Sequence, residues 1–224
     1  MPDDGSITIQ LESGTYTAPQ NATGKTITLK GTSGATLQMI TNTHPSGPSD
    51  ASFARSQLRL EGITVVGAMS SKDQGFDCAS LDMVDCTIQH NMYLFAPATF
   101  TKCSFTEPHG TTTYRIETNG QNATFTKCDF TTNGKAIHVT SPAATQSTIK
   151  ASRCTFTDKT GDGVKQPVFV VADGDFSPTY SLIITDCTAN GFEADSSTNS
   201  DLWSNKHSIG TDRLSVTIDG TEAY

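Results

Sequence analysis

Three polar residues beside apolar ones have the types and spacing needed for proton-transfer chemistry. Arg115 and Glu117 flank Ile116, and His138 follows Ile137. Because side chains alternate along a strand, inward isoleucines would turn the three polar groups outward, on neighbouring rungs about 4.8 Å apart. Glu117 could then contact His138 and tune it as a base, with Arg115 neutralising a substrate carboxylate. In the competing interpretation, the three polar residues belong to an ordinary solvent-exposed face of a β protein and have no catalytic role.

Two acidic residues in one turn form a candidate metal site. Asp173 and Asp175 flank Gly174, and carboxylates are oxygen ligands of the kind that Ca²⁺ prefers. An Asp-Gly-Asp turn can direct both carboxylates at one point, so Ca²⁺ is the candidate cofactor. The same dipeptide is also a common structural turn without any ligand.

Aromatic residues close to these segments are candidates for stacking on sugar rings. The candidate ligand-binding residues are Trp203, which is the only tryptophan, Tyr180, Phe176 and Asp173. The carboxylate would hold a sugar hydroxyl while the rings cover the sugar faces. The alternative is that the rings anchor the core and the loops. A carbohydrate or another cell-surface molecule is therefore the predicted partner.

Six cysteines first suggest disulfides, but most of them belong to a sequence repeat. Residues 98–106, ATFTKCSFT, recur almost letter for letter as ATFTKCDFT in residues 123–131. Both copies follow the same pattern: an apolar residue, two spacers, Cys, one spacer and an apolar residue. Five cysteines occupy the Cys position of this pattern, which we call the slot. When repeats stack, that slot becomes an interior column of reduced, inert thiols that point the same way. Cys78 falls outside the slot and is expected to be exposed.

The predicted interior combines this column with the apolar residues on either side of it. Isoleucine occupies the slot in an earlier copy, and phenylalanines dominate the flanks. The residues of the predicted structural core are Ile63, Cys86, Cys103, Cys128, Cys154, Cys187, Phe100, Phe105, Phe125, Phe130 and Phe156.

The copies of the slot recur at an irregular period. Successive copies are separated by as few as 17 residues (Cys86 to Cys103) and as many as 33 (Cys154 to Cys187). Such a period is typical of a β-solenoid whose coils share strands and differ in their loops. Hydrophobic residues are 35% of the chain and charged residues 17%. The remaining abundance of Thr, Ser, Asn and Gly favours strands and turns, so an all-β fold is predicted.

Each coil is predicted to carry a second apolar strand, at residues 92–95, 114–117, 136–139 and 168–171. The residue before each cysteine should mark a bend and point outward; these residues are Asp85, Lys102, Lys127, Arg153 and Asp186, with Gly62 in the earlier copy.

We interpret the 224 residues as one domain. Residues 1–66 form its opening coils, residues 67–189 its regular cysteine-containing coils, and residues 190–224 a long loop and a closing strand.

Several segments resemble the right-handed parallel β-helix, or pectin-lyase-like, superfamily: DCTI at 85–88, DCT at 186–188, GTY at 14–16 and TITLKG at 26–31. The resemblance extends from about residue 7 to residue 219. It implies a right-handed parallel β-helix (β-solenoid) of about seven to nine coils with an internal Cys/Phe/Ile stack. The superfamily includes pectate and pectin lyases, polygalacturonases, pectin methylesterases, phage tailspikes and pectate-lyase-like adhesive modules of bacterial surface proteins. The adhesive modules are the closest in character.

The enzyme motifs of this superfamily do not occur at usable positions. Asn-Thr-Asp, Gly-His-Gly and Arg-Ile-Lys, shared by polygalacturonases, are missing, and Asp-Asp occurs only before the first coil. The expected function is therefore a non-catalytic extracellular binding or structural module of the adhesin type, with a glycan as ligand. The alternatives are a polysaccharide lyase or glycoside hydrolase acting on acidic polysaccharide, and a phage tailspike-like protein, which would form trimers.

The net charge and the hydropathy of the chain limit the classes of partner that are expected. A net charge of −8 argues against nucleic acid, whose binding depends on clustered Lys and Arg. Membrane insertion is not expected, because no apolar run approaches the roughly 18 residues needed to span a bilayer. Residues 1–4 lack the features of a signal peptide. The predicted setting is nevertheless a secreted bacterial protein at the cell surface, as part of a longer chain or assembly.

Overall fold

The computed structural model describes residues 5–17, 25–41, 56–67, 74–106, 114–132, 134–141, 146–159, 166–170, 178–206 and 208–224. Within these residues the regular structure consists of strands and includes no helix, so the all-β prediction is confirmed. The strands are β1 (Ser6–Leu11), β2 (Gly14–Thr17), β3 (Thr26–Gly31), β4 (Ala35–Gln38), β5 (Ile40–Thr41), β6 (Gln57–Glu61), β7 (Thr64–Val66), β8 (Gln74–Gly75), β9 (Ser80–Val84), β10 (Thr87–Ile88), β11 (Met92–Tyr93), β12 (Ala98–Thr101), β13 (Ser104–Phe105), β14 (Ile116–Glu117), β15 (Ala123–Thr126), β16 (Asp129–Thr132), β17 (Ile137–Val139), β18 (Gln146–Ser152), β19 (Thr155–Asp158), β20 (Val168–Val170), β21 (Thr179–Thr185), β22 (Thr188–Asn190), β23 (Trp203–Asn205), β24 (Leu214–Ile218) and β25 (Thr221–Glu222).

Most of these strands lie in three long sheets. The first sheet has the order β1-β3-β6-β9-β12-β15-β18-β21-β24-β25, and the second has β2-β4-β7-β10-β13-β16-β19-β22. The third has β11-β14-β17-β20-β23, while β5 and β8 form a separate antiparallel pair. From β9 to β23 the chain visits the first, second and third sheets in turn, and each strand pairs in parallel with its counterpart one visit later. These stacked parallel sheets are consistent with a β-helix-like solenoid.

The register of the sheets follows the sequence repeat. Phe100 on β12 is paired with Phe125 on β15, in the register that the repeat at 98–106 and 123–131 predicts. Inward side chains alternate with half-buried or exposed ones along the long strands. This alternation is the period-2 pattern of a strand with one face on the core.

Phenylalanine rings stack along the interior from rung to rung. The Phe100 and Phe125 rings lie 5.0 Å apart and nearly parallel, and the Phe105 and Phe130 rings lie 4.3 Å apart in the same way. Phe130 also stacks on Phe156 at 5.0 Å. All five rings are buried. Offset stacking adds to the hydrophobic stabilisation from burial, so this array is the centre of the core.

The cysteines of the repeat lie beside these rings. Cys86, Cys103, Cys128 and Cys154 are buried, Cys187 is half-buried, and all are free thiols. The thiols also contact backbone carbonyl groups near the bend: the Cys128 Sγ lies 3.5 Å from the Phe100 carbonyl oxygen one rung earlier and 3.6 Å from that of Thr126. The neighbouring Cys103 thiol and burial raise the pKa of Cys86 well above its usual range. The column is therefore packed beside the rings in the interior, and its inertness toward thiol reagents stays a prediction.

Cys78 corrects one prediction. It is 6% exposed rather than accessible, and its Sγ donates a hydrogen bond to the Phe76 carbonyl oxygen at 3.4 Å. Burial, with the nearby Asp77 carboxylate, raises the pKa of the Cys78 thiol to about 12. Cys78 lies outside the repeat, so its core position could not be found from the repeat register.

Replacing Cys128 with alanine tests the structural role of the column. The thiol is fully buried, so its loss leaves a small cavity, and we expect the free energy of unfolding to fall by about 1–2 kcal/mol. Chemical denaturation monitored by circular dichroism measures this change. Serine at the same position should cost more, because its hydroxyl is harder to bury among apolar groups than a thiol. A stability equal to wild type in both variants would contradict the packing role.

The predicted bends are also confirmed. The corner row is defined as Gly62, Asp85, Lys102, Lys127, Arg153 and Asp186, and each member has a φ between 52° and 64°. Its members join the six first-sheet strands β6, β9, β12, β15, β18 and β21 to the second-sheet strands that follow them. All six residues are exposed. This left-handed conformation bends the chain between the two strands, and the residue that follows, Cys or in one case Ile63, belongs to the interior column. The charged side chains then lie along one outer corner of the stack.

The segment at 190–212, predicted as a long loop, contains one strand that the sequence did not reveal. Trp203–Asn205 forms β23, which pairs in parallel with β20 and ends the third sheet. Trp-Ser-Asn lacks the β-branched pattern of Val-Phe-Val on β20, so periodicity gave no signal for it.

Candidate functional site

The outer face of the third sheet brings two of the three predicted catalytic residues together. Glu117 on β14 and His138 on β17 are partners in the parallel register. The His138 Nδ1 lies 3.9 Å from the Glu117 Oε2, and their side chains are 17% and 19% exposed. This distance is too long for a hydrogen bond. The Tyr114 and Phe169 rings lie on either side of the imidazole, at 5.3 and 6.0 Å between centroids.

Arg115, the third predicted catalytic residue, points inward. It is fully buried, and its Nε donates a hydrogen bond of 2.7 Å to the Thr131 carbonyl oxygen. The amides of Arg115 and Ile116 both donate to the Ala136 carbonyl oxygen, at 3.0 Å each. Two residues opposite one is the pattern of a β-bulge, which breaks the alternation of faces. The expectation that Arg115 faces outward is therefore wrong, and it cannot hold a substrate carboxylate beside His138.

Glu117 lies in a mostly polar surrounding. The Thr140 Oγ1 donates to its Oε1 at 3.2 Å. Burial alone would raise the pKa of Glu117, but the interaction with His138 and a hydrogen bond from the Tyr114 hydroxyl outweigh it and hold the pKa below its usual range. The folded state therefore favours the carboxylate form of Glu117.

This lowered pKa predicts a pH dependence of stability. A carboxylate whose pKa is lower in the folded chain stabilises the fold above its unfolded pKa, which is near 4.5, and the contribution is lost as the pH falls through the folded value. We expect wild type to melt at a higher temperature than Glu117→Gln at pH 7, and the difference to shrink below pH 4.5. Thermal melts of both proteins between pH 3 and pH 7 measure this. A difference that grows on acidification would contradict the assignment.

The two described members of the predicted sugar-stacking set, Trp203 and Tyr180, do not form an exposed platform. Trp203 is 1% exposed and Tyr180 is 3% exposed, so both rings fill the core. The Trp203 ring packs edge-on against Tyr224, with 5.6 Å between centroids. Phe176 and Asp173 lie outside the described residues, so their proposed contacts with a ligand stay predictions.

The metal prediction is also untested, because Asp173 and Asp175 both lie outside the described part of the chain. Within the described residues, no group of three or more His, Cys, Asp and Glu side chains is placed to hold a metal ion.

A cavity of about 280 Å³ lies elsewhere, on the outer face of the first sheet. Asp82, Thr99 and Thr124, which belong to its lining, are register partners on three successive strands of the first sheet. We call this cavity the first-sheet groove; its lining consists of Ser80, Leu81, Asp82, Pro97, Ala98, Thr99, Asn122 and Thr124. The groove therefore combines hydroxyl, amide and carboxylate groups with one proline ring.

Two contacts fix the orientation of polar groups in the groove. The Asp82 carboxylate accepts a hydrogen bond from Arg59 on the preceding strand, and Arg59 also donates from Nε to Glu61 at 2.6 Å. The Asn122 Oδ1 accepts from the backbone amide of Thr148 at 2.8 Å. Because the amide oxygen is engaged, the Asn122 Nδ2 is the group left to donate to a ligand. The groove thus offers oriented donors and acceptors.

The groove was missed from the sequence, although a signal for it existed. The aligned apolar residues Met83, Phe100 and Phe125 imply that the residues just before them share an outward column. Those residues are Asp82, Thr99 and Thr124, but each belongs to a different coil and none matches a catalytic motif. Strand alternation applied across the aligned repeats would have placed them together.

Neither family models, curated proteins nor solved structures yielded a match to this chain. Across the residues that the structure describes, a helix long and apolar enough to cross a membrane is not found.

Proposed function

We propose that the three parallel sheets form a right-handed β-helix of the pectin-lyase-like kind, with about nine coils. What supports this is the fixed order in which the chain visits the sheets from β9 to β23, and the row of left-handed corner residues in six successive coils. The first sheet contributes one strand to every coil, from β1 to β24. Electron cryomicroscopy or crystallography would determine the handedness and the coil count.

We propose that the chain is a non-catalytic, extracellular carbohydrate-binding module, in the manner of a bacterial adhesin, and that the first-sheet groove holds the sugar. The groove carries the proposal because it collects the side chains that bind sugar hydroxyls: Ser80, Asp82, Thr99, Asn122 and Thr124. Each sugar hydroxyl both donates and accepts, and the oriented Asp82 and Asn122 groups supply the matching partners.

The size and shape of the groove suit a short stretch of glycan. A volume of about 280 Å³ is at the small end of ligand pockets, so it fits one or two sugar units. The Pro97 ring supplies an apolar wall for the C–H face of a sugar. Asp82 is the only carboxylate in the lining, whereas glycoside hydrolysis uses a pair of carboxylates. Binding without turnover is therefore the function that this geometry favours.

Proton-transfer chemistry on acidic polysaccharide is the second candidate, and the contact between Glu117 and His138 is the observation that favours it. An elimination at a uronate needs a base beside the sugar, and an imidazole next to a carboxylate provides one. Incubation with polygalacturonate or alginate, read by the absorbance of unsaturated products, tests this candidate. Product formation that His138→Gln abolishes would replace binding by lyase activity as the main function.

Substitutions in the groove test carbohydrate binding. On a glycan array, we expect the wild type to bind a defined subset of glycans, and Asp82→Asn and Asn122→Ala to bind each about 10- to 100-fold more weakly. This range corresponds to the loss of one strong hydrogen bond of about 1.5–3 kcal/mol. Thr28→Ala is the matched control, because Thr28 lies in the same outward column two strands before Asp82. An array without any binding to the wild type would contradict the proposed function.

A further inference from the structure

Three Asn-Gly dipeptides occur in the chain, at 119–120, 133–134 and 190–191. In such a dipeptide the backbone nitrogen of the glycine can attack the asparagine side chain, because glycine has no Cβ to shield that nitrogen. Asparagine is accordingly one of the chemically labile residues of proteins. Asn133 lies outside the described residues, so the structure compares the other two dipeptides.

The dipeptide at 119–120 is held by hydrogen bonds on both of its residues. The Gly120 amide, which would be the attacking group, donates to the Thr140 carbonyl oxygen at 2.6 Å. The Asn119 Nδ2 donates to the Leu94 carbonyl oxygen at 3.3 Å, and the Asn119 backbone amide donates to the Thr140 Oγ1, also at 3.3 Å. Both residues are half-buried. Attack on Asn119 therefore requires that several hydrogen bonds open first.

The dipeptide at 190–191 has no comparable restraint. Asn190 is the last residue of β22, in register with Thr157 on β19, and both Asn190 and Gly191 are exposed. Within the described part of the chain, neither the Gly191 amide nor the Asn190 side chain takes part in a hydrogen bond. The end of a strand opens at little cost in free energy. The two reacting groups are therefore accessible to water and free to approach each other.

The fold requires glycine at the second position of this dipeptide. Gly191 has a φ of 82°, in the left-handed region that favours glycine. A Cβ at this position would also lie 3.3 Å from the Asp158 carbonyl oxygen, which is closer than an ordinary contact. Any other residue at 191 would therefore be strained, and the labile pair is built into the bend that follows β22.

We propose that Asn190 is a site of spontaneous covalent modification, at which asparagine converts to aspartate and isoaspartate with water as the co-reactant. Hydroxide removes the proton of the Gly191 amide, and the nitrogen then forms a bond to the Asn190 Cγ. The side-chain nitrogen takes a proton from water and leaves as ammonia, so a five-membered succinimide ring remains. Water opens this ring at either carbonyl group. One water is consumed and one ammonia is released, without oxidation or reduction.

The modification changes both the charge and the backbone of β22. Each event adds one negative charge to a chain whose net charge is already −8. In isoaspartate the main chain passes through Cγ and is longer by one methylene group, so the register between Asn190 and Thr157 is lost. This site lies in the second sheet, whereas the first-sheet groove lies in the first. The inference therefore does not depend on carbohydrate binding.

Incubation of the folded protein in H₂¹⁸O at 37 °C, followed by peptide mapping with mass spectrometry, tests the site. We expect the peptide that contains Asn190 to give two acidic products labelled with ¹⁸O. Their rate of formation should rise from pH 6 to pH 8.5, because the attacking amide must lose its proton. Conversion of Asn119 should be about tenfold slower or more, since its hydrogen bonds must open first. Asn190→Gln should remain unmodified over the same period, because attack on glutamine must form a larger ring.

The unfolded chain in urea provides the matched reference. There we expect Asn119 and Asn190 to convert at similar rates, because both precede glycine and neither is protected by the fold. An Asn190 side chain that stays an amide in the folded protein would overturn the proposal. So would conversion of Asn190 no faster than that of Asn119 in the folded protein, because the difference in hydrogen bonding between the two dipeptides would then have no effect.

Discussion

Phe130→Ala should lower the free energy of unfolding by about 3–5 kcal/mol, the cost of removing a large buried side chain and leaving a cavity. Phe130 stacks on both Phe105 and Phe156, at 4.3 and 5.0 Å between ring centroids. Its removal therefore breaks the array in the middle rather than at one end. Urea denaturation followed by circular dichroism measures the loss.

The neighbouring Thr131 provides the control for this substitution. Thr131 lies next to Phe130 on β16 but is only half-buried, so Thr131→Ala should change the stability by about 0.5 kcal/mol or less. The loss of stability in Phe130→Leu should lie between those of Phe130→Ala and Thr131→Ala, because leucine keeps much of the buried volume but loses the ring stacking. A loss below about 1 kcal/mol for Phe130→Ala would show that the ring array is not the centre of the core.

Trp203→Ala is the second substitution with a large expected effect, a loss of about 3–5 kcal/mol. Trp203 is 1% exposed and lies on the last strand of the third sheet, against Tyr224. The indole Nε1 is buried and forms no hydrogen bond with the described residues. Trp203→Phe should thus cost much less, since it loses volume but no hydrogen bond. Thermal melts of the two variants compare these costs.

The same variants distinguish a structural role from sugar stacking. At a temperature where Trp203→Phe is fully folded, its affinity for any glycan bound by the wild type should be unchanged. A stable Trp203→Phe or Trp203→Ala protein with more than tenfold weaker glycan binding would instead favour the interpretation drawn from the sequence, in which the indole ring contacts the sugar.

The sequence predicted the parts of the fold that repeat. Residues 98–101 and 123–126 are identical, so their register could be predicted without the structure. The corner residues were found because each precedes a cysteine in the same slot. Such signals are strong because coils that stack need the same residue type at the same interior position.

Features outside the cysteine repeat were harder to predict. The bulge at Arg115 depends on two amides sharing the Ala136 carbonyl oxygen, and on the next rung the amides of Ala136 and Ile137 share the Pro167 carbonyl oxygen in the same way. No local sequence signal marks that choice. The strand around Trp203 has a sequence unlike its neighbours in the third sheet. Strict period-2 alternation placed Arg115 outward, and the lack of alternation hid the strand at Trp203. In both segments tertiary packing decides the conformation.

The candidate site was predicted in part. Contact between Glu117 and His138 followed from the register of two apolar segments, whereas the first-sheet groove needs residues from three coils at once. Asp82, Thr99 and Asn122 have no motif in common and are brought together only by the parallel register. A binding surface built on the face of stacked coils leaves little trace in any one coil.

The most direct test of carbohydrate binding in the first-sheet groove is a nuclear magnetic resonance titration of ¹⁵N-labelled protein with a glycan selected on the array. We predict that the amide signals that shift belong to residues 80–82, 98–99 and 122–124, and that Asp82→Asn needs about 10- to 100-fold more glycan to reach the same shifts. Shifts confined to the third sheet around Glu117 and His138, or no shifts at saturating glycan, would contradict the assignment of the groove as the binding site.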